Sequence, residues 1–89
     1  MIRRDVIYSG RVQGVGFRWT TKHISSNYCV TGSVENREDG TVFLAVEGEE
    51  DEVDAFMQAI ATRMKTNIRE TLVNEGRPIG ADTEFKVRY

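Results

Sequence analysis

Val6-Ile7-Tyr8-Ser9-Gly10-Arg11-Val12-Gln13-Gly14-Val15-Gly16-Phe17-Arg18 passes from an apolar run through a glycine-rich loop to the edge of a helix. Val6, Ile7 and Tyr8 are apolar on both strand parities, which predicts a strand inside a sheet, from about Ile2 to Ser9. Gly10, Gly14 and Gly16 free the backbone to curl. A curled segment entering a helix collects N–H groups and the positive end of the helix dipole in one concavity, which suits an anion. Two readings follow: a cradle for phosphate or carboxylate, or a strand-to-helix turn that needed flexibility. Short glycine-rich matches also arise by chance.

Downstream, Trp19 to Tyr28 reads as a helix, with Phe17, Thr20 or Thr21, Ile24 and Tyr28 as its buried stripe. Cys29 to Glu35 reads as a second strand, with Val30, Gly32, Val34 and Asn36 on one face and Thr31, Ser33 and Glu35 on the other. Asn36-Arg37-Glu38-Asp39-Gly40 is a hairpin turn, and Asp39-Gly40 is its strongest signal. Thr41 to Glu47 returns as a third strand with Val42, Leu44 and Val46 inward. The acids of Gly48-Glu49-Glu50-Asp51-Glu52 gather where a helix dipole favours them, which outweighs a cation site because no spacing resembles a calcium loop. Val53, Phe56, Met57, Ile60 and Met64 form the stripe of that second helix. Ile68 to Asn74 is a fourth strand and Glu75 to Asp82 a loop rich in breakers. Glu84 to Tyr89 alternates, with Phe85, Val87 and Tyr89 inward. The order predicts an α+β, ferredoxin-like βαββαβ sandwich: two helices on one face of a four- to five-stranded, mainly antiparallel sheet.

The chain has 89 residues, 39% hydrophobic and 29% charged, enough for one domain over residues 1–89. No apolar stretch is long enough for a membrane span, and Met1-Ile2-Arg3-Arg4-Asp5 has no signal-peptide character. The single cysteine, Cys29, excludes an internal disulfide, fits a cytoplasmic protein and reads as a small buried filler. Net charge is −2, which argues against a nucleic-acid binder. Arg3, Arg4, Arg11, Arg18 and Lys22 stand against Asp5 alone in the first 22 residues, a balance of +4 that leaves −6 for the remainder. That excess is expected to surround the glycine loop and focus a small anion there.

Arg18 is the first candidate for chemistry. A helix N-terminus is the wrong end for a cation unless something negative sits there, and a guanidinium can fork onto two phosphate oxygens. Asn36 is the second: it is either an ordinary turn residue or, if the first two strands share a sheet, a group near the loop that holds a water against phosphate. His23 reads as an exposed helix residue rather than a general base, and Lys22 as solvated. No metal-ligand cluster or serine–histidine pattern exists. The loop also lacks the Gly-Lys-Ser/Thr ending of a P-loop, and Trp19 stands where a dinucleotide fold needs glycine or alanine.

Gly10 to Arg18 resembles the signature loop of the acylphosphatases. Gly32-Ser33-Val34-Glu35-Asn36-Arg37-Glu38-Asp39-Gly40-Thr41-Val42 resembles their second signature, and Phe85-Lys86-Val87-Arg88-Tyr89 is similar to their ending. The resemblance implies hydrolysis of an acyl phosphate to carboxylate and inorganic phosphate. It implies that the loop of Gly10, Arg11, Val12, Gln13, Gly14, Val15, Gly16 and Phe17 binds the phosphate with Arg18, and that Asn36 positions the attacking water. No metal or organic cofactor is implied. The expected partners are a small-molecule acyl phosphate and inorganic phosphate as product and inhibitor, with no nucleic acid or membrane, and the protein is expected to be a monomer. Ser33 replaces a large aromatic and Glu35 a basic residue usual in the family; both lie on the face opposite Asn36, so they are expected to bear on efficiency rather than on reaction type. A non-catalytic module that binds acyl or carbamoyl phosphate is the alternative, and retention of both Arg18 and Asn36 favours an enzyme. An RNA-binding domain shares the element order. The third strand, however, has one aromatic and no basic-Gly-aromatic pattern.

Overall fold

The computed structural model covers residues 1–89. In chain order the elements are β1 (Ile2–Gly10), α1 (Phe17–Ser25), β2 (Val30–Asn36), β3 (Val42–Gly48), α2 (Glu50–Arg63), β4 (Ile68–Gly76) and β5 (Phe85–Arg88). The five strands form one sheet in the order β4-β1-β3-β2-β5. β1 runs antiparallel to both β3 and β4, β2 is antiparallel to β3, and β2 and β5 are the parallel pair. The sheet is therefore mixed, and β1, β2 and β5 all point the same way. The double-sided apolar run Val6-Ile7-Tyr8 is interior, between β4 and β3, as its parity predicts.

One face of the sheet carries the core. Val6, Tyr8, Val34, Val42, Leu44 and Val46 are buried there against Phe17, Ile24, Val53, Phe56 and Ile60 of the two helices. Phe56 meets the Phe85 ring edge-on, with centroids 5.3 Å apart, an arrangement the ring quadrupoles favour. The first turn of α2 holds Glu50, Asp51 and Glu52, and Arg63 lies in its last turn, so both ends suit its dipole.

A connecting segment, residues 77–84, crosses the opposite face. It is held by Glu47, a buried carboxylate on β3 that accepts hydrogen bonds from the N–H groups of Ile79 (2.9 Å) and Gly80 (3.1 Å) and pairs with Arg3 at 2.7 Å. Burial pushes the Glu47 carboxyl up. The Ile79 N–H, Arg3 and the Gly80 N–H outweigh that and hold it below its ordinary value.

Several boundaries differ from the sequence reading. α1 starts at Phe17 and ends at Ser25 because Gly16, in the left-handed conformation at φ 78°, is its N-cap, and because the next three residues turn back with hydrogen bonds from Ser26 to His23, Asn27 to Ile24 and Tyr28 to Ser25. The buried threonine is Thr21. β4 runs on to Gly76, and its strand-centre residues Leu72 and Val73 are exposed because it is an edge strand. Cys29 is exposed, not buried: it lies ahead of β2, where its N–H donates to Glu52 Oε1 at 2.7 Å. Tyr89, expected inward, is fully exposed because β5 stops at Arg88. Arg3 and Arg4 do not surround the loop. They lie at the other end of β1, where Arg3 pairs with Glu47 and Arg4 with Asp54.

Candidate active site

The glycine loop spans the gap between the end of β1 and the start of α1, at the edge of the sheet where β2 and β5 also end. Asn36 is the last residue of β2 and is paired with Val42; Tyr8 of β1 is paired with the same Val42 from the other side. The sheet register thus sets Asn36 level with the strand that enters the loop. A cleft of about 190 Å3 opens there, lined by Val12, Gly14, Gly16, Phe17, Arg18, Trp19, Asn36, Val87 and Tyr89. Arg18 and Asn36, 18 residues apart in sequence, share it.

The loop's shape has local causes. Val12 is buried in the core and Phe17 packs on Tyr8 with ring centroids 5.1 Å apart, so both shoulders of the loop are anchored by apolar side chains. Burial raises the Tyr8 phenol far above its ordinary value, which keeps this support neutral. Between the shoulders, Gly14 and Gly16 take φ of 74° and 78°, a region that side chains with a Cβ rarely adopt. Gln13 fastens the loop to the β2–β3 turn: its Nε2 donates to the carbonyls of Arg37 (2.7 Å) and Thr41 (2.9 Å). The turn itself is braced by Asp39, whose carboxylate accepts from the Thr41 hydroxyl and N–H and is held below its ordinary value by those bonds.

No backbone N–H from Val12 to Gly16 donates to a protein acceptor, and the α1 ladder begins only with Thr20 N–H on the Gly16 carbonyl at 2.9 Å. α1 has no acidic residue in its first turn. The donors at this end of the helix are therefore free to meet an oxyanion. The Arg18 guanidinium is half-buried beside them. Its Nη1 reaches the Arg88 carbonyl at 3.3 Å and its carbon lies 4.8 Å from the centre of the Tyr89 ring. The side-chain oxygen of Asn36, Oδ1, is buried and has no hydrogen-bond partner. A buried acceptor without a donor is costly, so it points to a group that arrives.

Not every loop residue faces the cleft. Gly10 and Arg11 border a separate depression with Arg69, Gln13 is occupied by the turn, and Val15 projects outward. Lys22 is exposed but donates to the Phe85 carbonyl at 2.6 Å, and His23 is exposed and stacked on Trp19. No group of three histidine, cysteine or acidic side chains is placed to hold a metal ion. Sequence reasoning missed the Gln13 clamp and the contact of Arg88 and Tyr89 with Arg18. Both join residues far apart in the chain through backbone carbonyls or ring faces, and no local pattern marks them.

The acylphosphatase family model matches residues 4–87. An acylphosphatase of Bacillus licheniformis is 33% identical over 90 residues, covering 100% of both chains. Among solved structures, the acylphosphatase from Bacillus subtilis superimposes with a TM-score of 0.88 at 30% identity over 100% of both chains. HypF from T. kodakarensis superimposes with a TM-score of 0.85 at 27% identity, covering 100% of this chain and 12% of that one. With the family model spanning nearly the whole chain and a full-length relative agreeing in sequence, the cleft between loop and sheet sits in a member of the acylphosphatase family.

Proposed function

We propose that this protein hydrolyses acyl phosphates, with the phosphate held by Arg18 and by those N–H groups of the Gly10–Phe17 loop that have no protein partner, from Val12 to Gly16, and with the attacking water held by Asn36. The observation that carries this reading is the meeting, in one small cleft, of unpaired loop N–H groups, a guanidinium and a buried amide oxygen that lacks a donor. Family membership supports the reaction class.

The chemistry needs little more. Phosphoryl transfer is governed by positioning and charge neutralisation, and a carboxylate is already a good leaving group. Water accepted by Asn36 Oδ1 through one hydrogen directs a lone pair at phosphorus. The water O–P bond forms as the bond from phosphorus to the acyl oxygen breaks, and the carboxylate leaves with the electron pair. The water proton passes to a phosphate oxygen, giving carboxylate and dihydrogen phosphate. Loop N–H groups and Arg18 bear the charge on the equatorial oxygens.

The test is release of phosphate from benzoyl phosphate. Arg18→Ala and Asn36→Ala should each lower kcat/KM by about a hundredfold or more, the usual cost of a charge-stabilising or positioning donor. Arg18→Ala should also weaken inhibition by inorganic phosphate, whereas Asn36→Ala should leave it nearly intact. Near-normal turnover by Asn36→Ala would remove water positioning from that residue. A parent protein that binds phosphate without turnover would instead favour a binding module.

A further inference from the structure

We propose that Trp19 forms the wall that receives the acyl group, and that this wall selects an aromatic acyl phosphate over a short aliphatic one. The inference rests on the reading of the loop as the phosphate site. It starts from where exposed apolar surface lies. Large hydrophobic side chains exposed on this molecule are Met1, Val15, Trp19, Leu72, Val73, Ile79 and Tyr89. Trp19 and Tyr89 both line the one cleft that holds Arg18 and Asn36, and Val15 stands on its loop. Exposed aromatic rings gathered at a cleft that also holds a guanidinium and an amide mark a ligand surface rather than a folding requirement.

The two rings are oriented by contacts of their own. The Trp19 indole stacks on the His23 imidazole one turn along α1, with centroids 5.3 Å apart and planes 4° from parallel. The residue nevertheless remains 67% exposed. The Tyr89 ring has the Arg18 guanidinium over one face. Trp19 lines the same cleft as Arg18, so the acyl substituent of a phosphate held at Arg18 has the indole within that cleft as a wall. The cleft, about 190 Å3, is larger than a tetrahedral oxyanion fills, and Val12, Phe17 and Val87 add apolar lining. A planar, apolar acyl group finds a stacking surface there. An acetyl group is too short to cover it and leaves the indole to water.

Trp19 is the sole tryptophan, so its emission reports on the wall directly. In the parent protein, benzoylphosphonate and acetylphosphonate, which cannot be hydrolysed as acyl phosphates, are titrated while Trp19 fluorescence is followed. Competition with inorganic phosphate gives both affinities. Benzoylphosphonate should alter the emission and bind about five- to tenfold tighter than acetylphosphonate, the range expected of one stacked ring. Equal affinities, or a benzoyl probe that leaves the emission unchanged, overturn the proposal. In the kinetic arm, Trp19→Ala should cut the ratio of kcat/KM for benzoyl phosphate to that for acetyl phosphate about five- to tenfold, and Trp19→Phe should restore most of it. A ratio unchanged in Trp19→Ala overturns the proposal as well. Should the parent release no phosphate from either substrate, hydrolysis fails as the function while the titration still decides the wall. Binding of neither probe overturns both.

Discussion

Gln13 is a side chain with a mechanical duty. Its amide bridges two carbonyls of the β2–β3 turn and so couples the loop to the strand that ends in Asn36. Gln13→Ala removes both bonds and lets the two halves of the cleft drift. The expected result is a rise in KM and in the inhibition constant for inorganic phosphate of about threefold to tenfold, with a stability loss of ~1–2 kcal/mol by thermal or denaturant unfolding. Gln13→Glu is no substitute, because a carboxylate would face two acceptors. At this scale the sequence marks where the candidate residues lie and hides how they are held. Arg18 at a helix N-terminus and Asn36 on the inward parity of β2 are legible from position alone. The Gln13 acceptors lie 24 and 28 residues away, and the Arg88 carbonyl that meets Arg18 lies 70 residues away. Spacing rules reach a helical turn or a strand pair and no further.

Elements show the same division. Alternation in Thr41 to Glu47 and the double-sided run in β1 agree with the strands observed because a strand's partners on each face leave a period-two record. The start of α1 leaves no such record, since its N-cap is a left-handed glycine without a capping side chain, and Ser, Thr, Asp or Asn is the usual signal. Nor could alternation say that β5 ends before Tyr89, because a pattern continues on paper after the hydrogen bonds have stopped. The loop glycines differ in how much they matter to their neighbours. A Cβ on Gly10 would come within 2.5 Å of the Asn67 carbonyl oxygen and 2.7 Å of the Arg69 nitrogen, both backbone atoms at the start of β4. At Gly14 nothing lies within 4 Å. Gly14→Ala should therefore cost only the left-handed backbone, ~1–2 kcal/mol, whereas Gly10→Ala should cost more because β4 must shift as well. Chemical denaturation of the two variants side by side checks the order.

Across the whole molecule the sheet has two differently covered faces, helices on one and residues 77–84 on the other. The second covering depends on a charge. Glu47 is buried with Arg3 and two N–H donors, and its carboxyl is held below the ordinary value near 4.5. A depressed folded-state value means stability that is present in full above the unfolded value and lost as pH falls through the folded one. Thermal stability should therefore drop as pH falls below about 4.5, the ordinary carboxylate value. Glu47→Gln should be less stable at neutral pH by ~1–3 kcal/mol, the worth of charged hydrogen bonds, and should show a shallower acid limb. An acid limb as steep as the parent's would assign the effect to other carboxylates. None of this was visible as a core feature in the sequence, where Glu47 falls on the outward parity of β3. A parity rule describes a face without knowing what crosses it.

The parallel pairing of β2 with β5 joins Gly32 to Phe85 and Glu35 to Arg88, so it closes one of the longest excursions in the chain. Such pairings return little until most of the chain is already ordered. The candidate site draws Val87 and Tyr89 from this late-closing end. In kinetic language, the contacts that shape the cleft belong on the native side of the folding barrier. Val87→Ala should then raise the unfolding rate and leave the folding rate nearly unchanged in a chevron measurement. A folding limb slowed in proportion to the lost stability would put β5 in the nucleus instead. The molecule would gain its sheet first and its chemistry last, and what survives brief local opening at the β5 edge would be the fold rather than the activity.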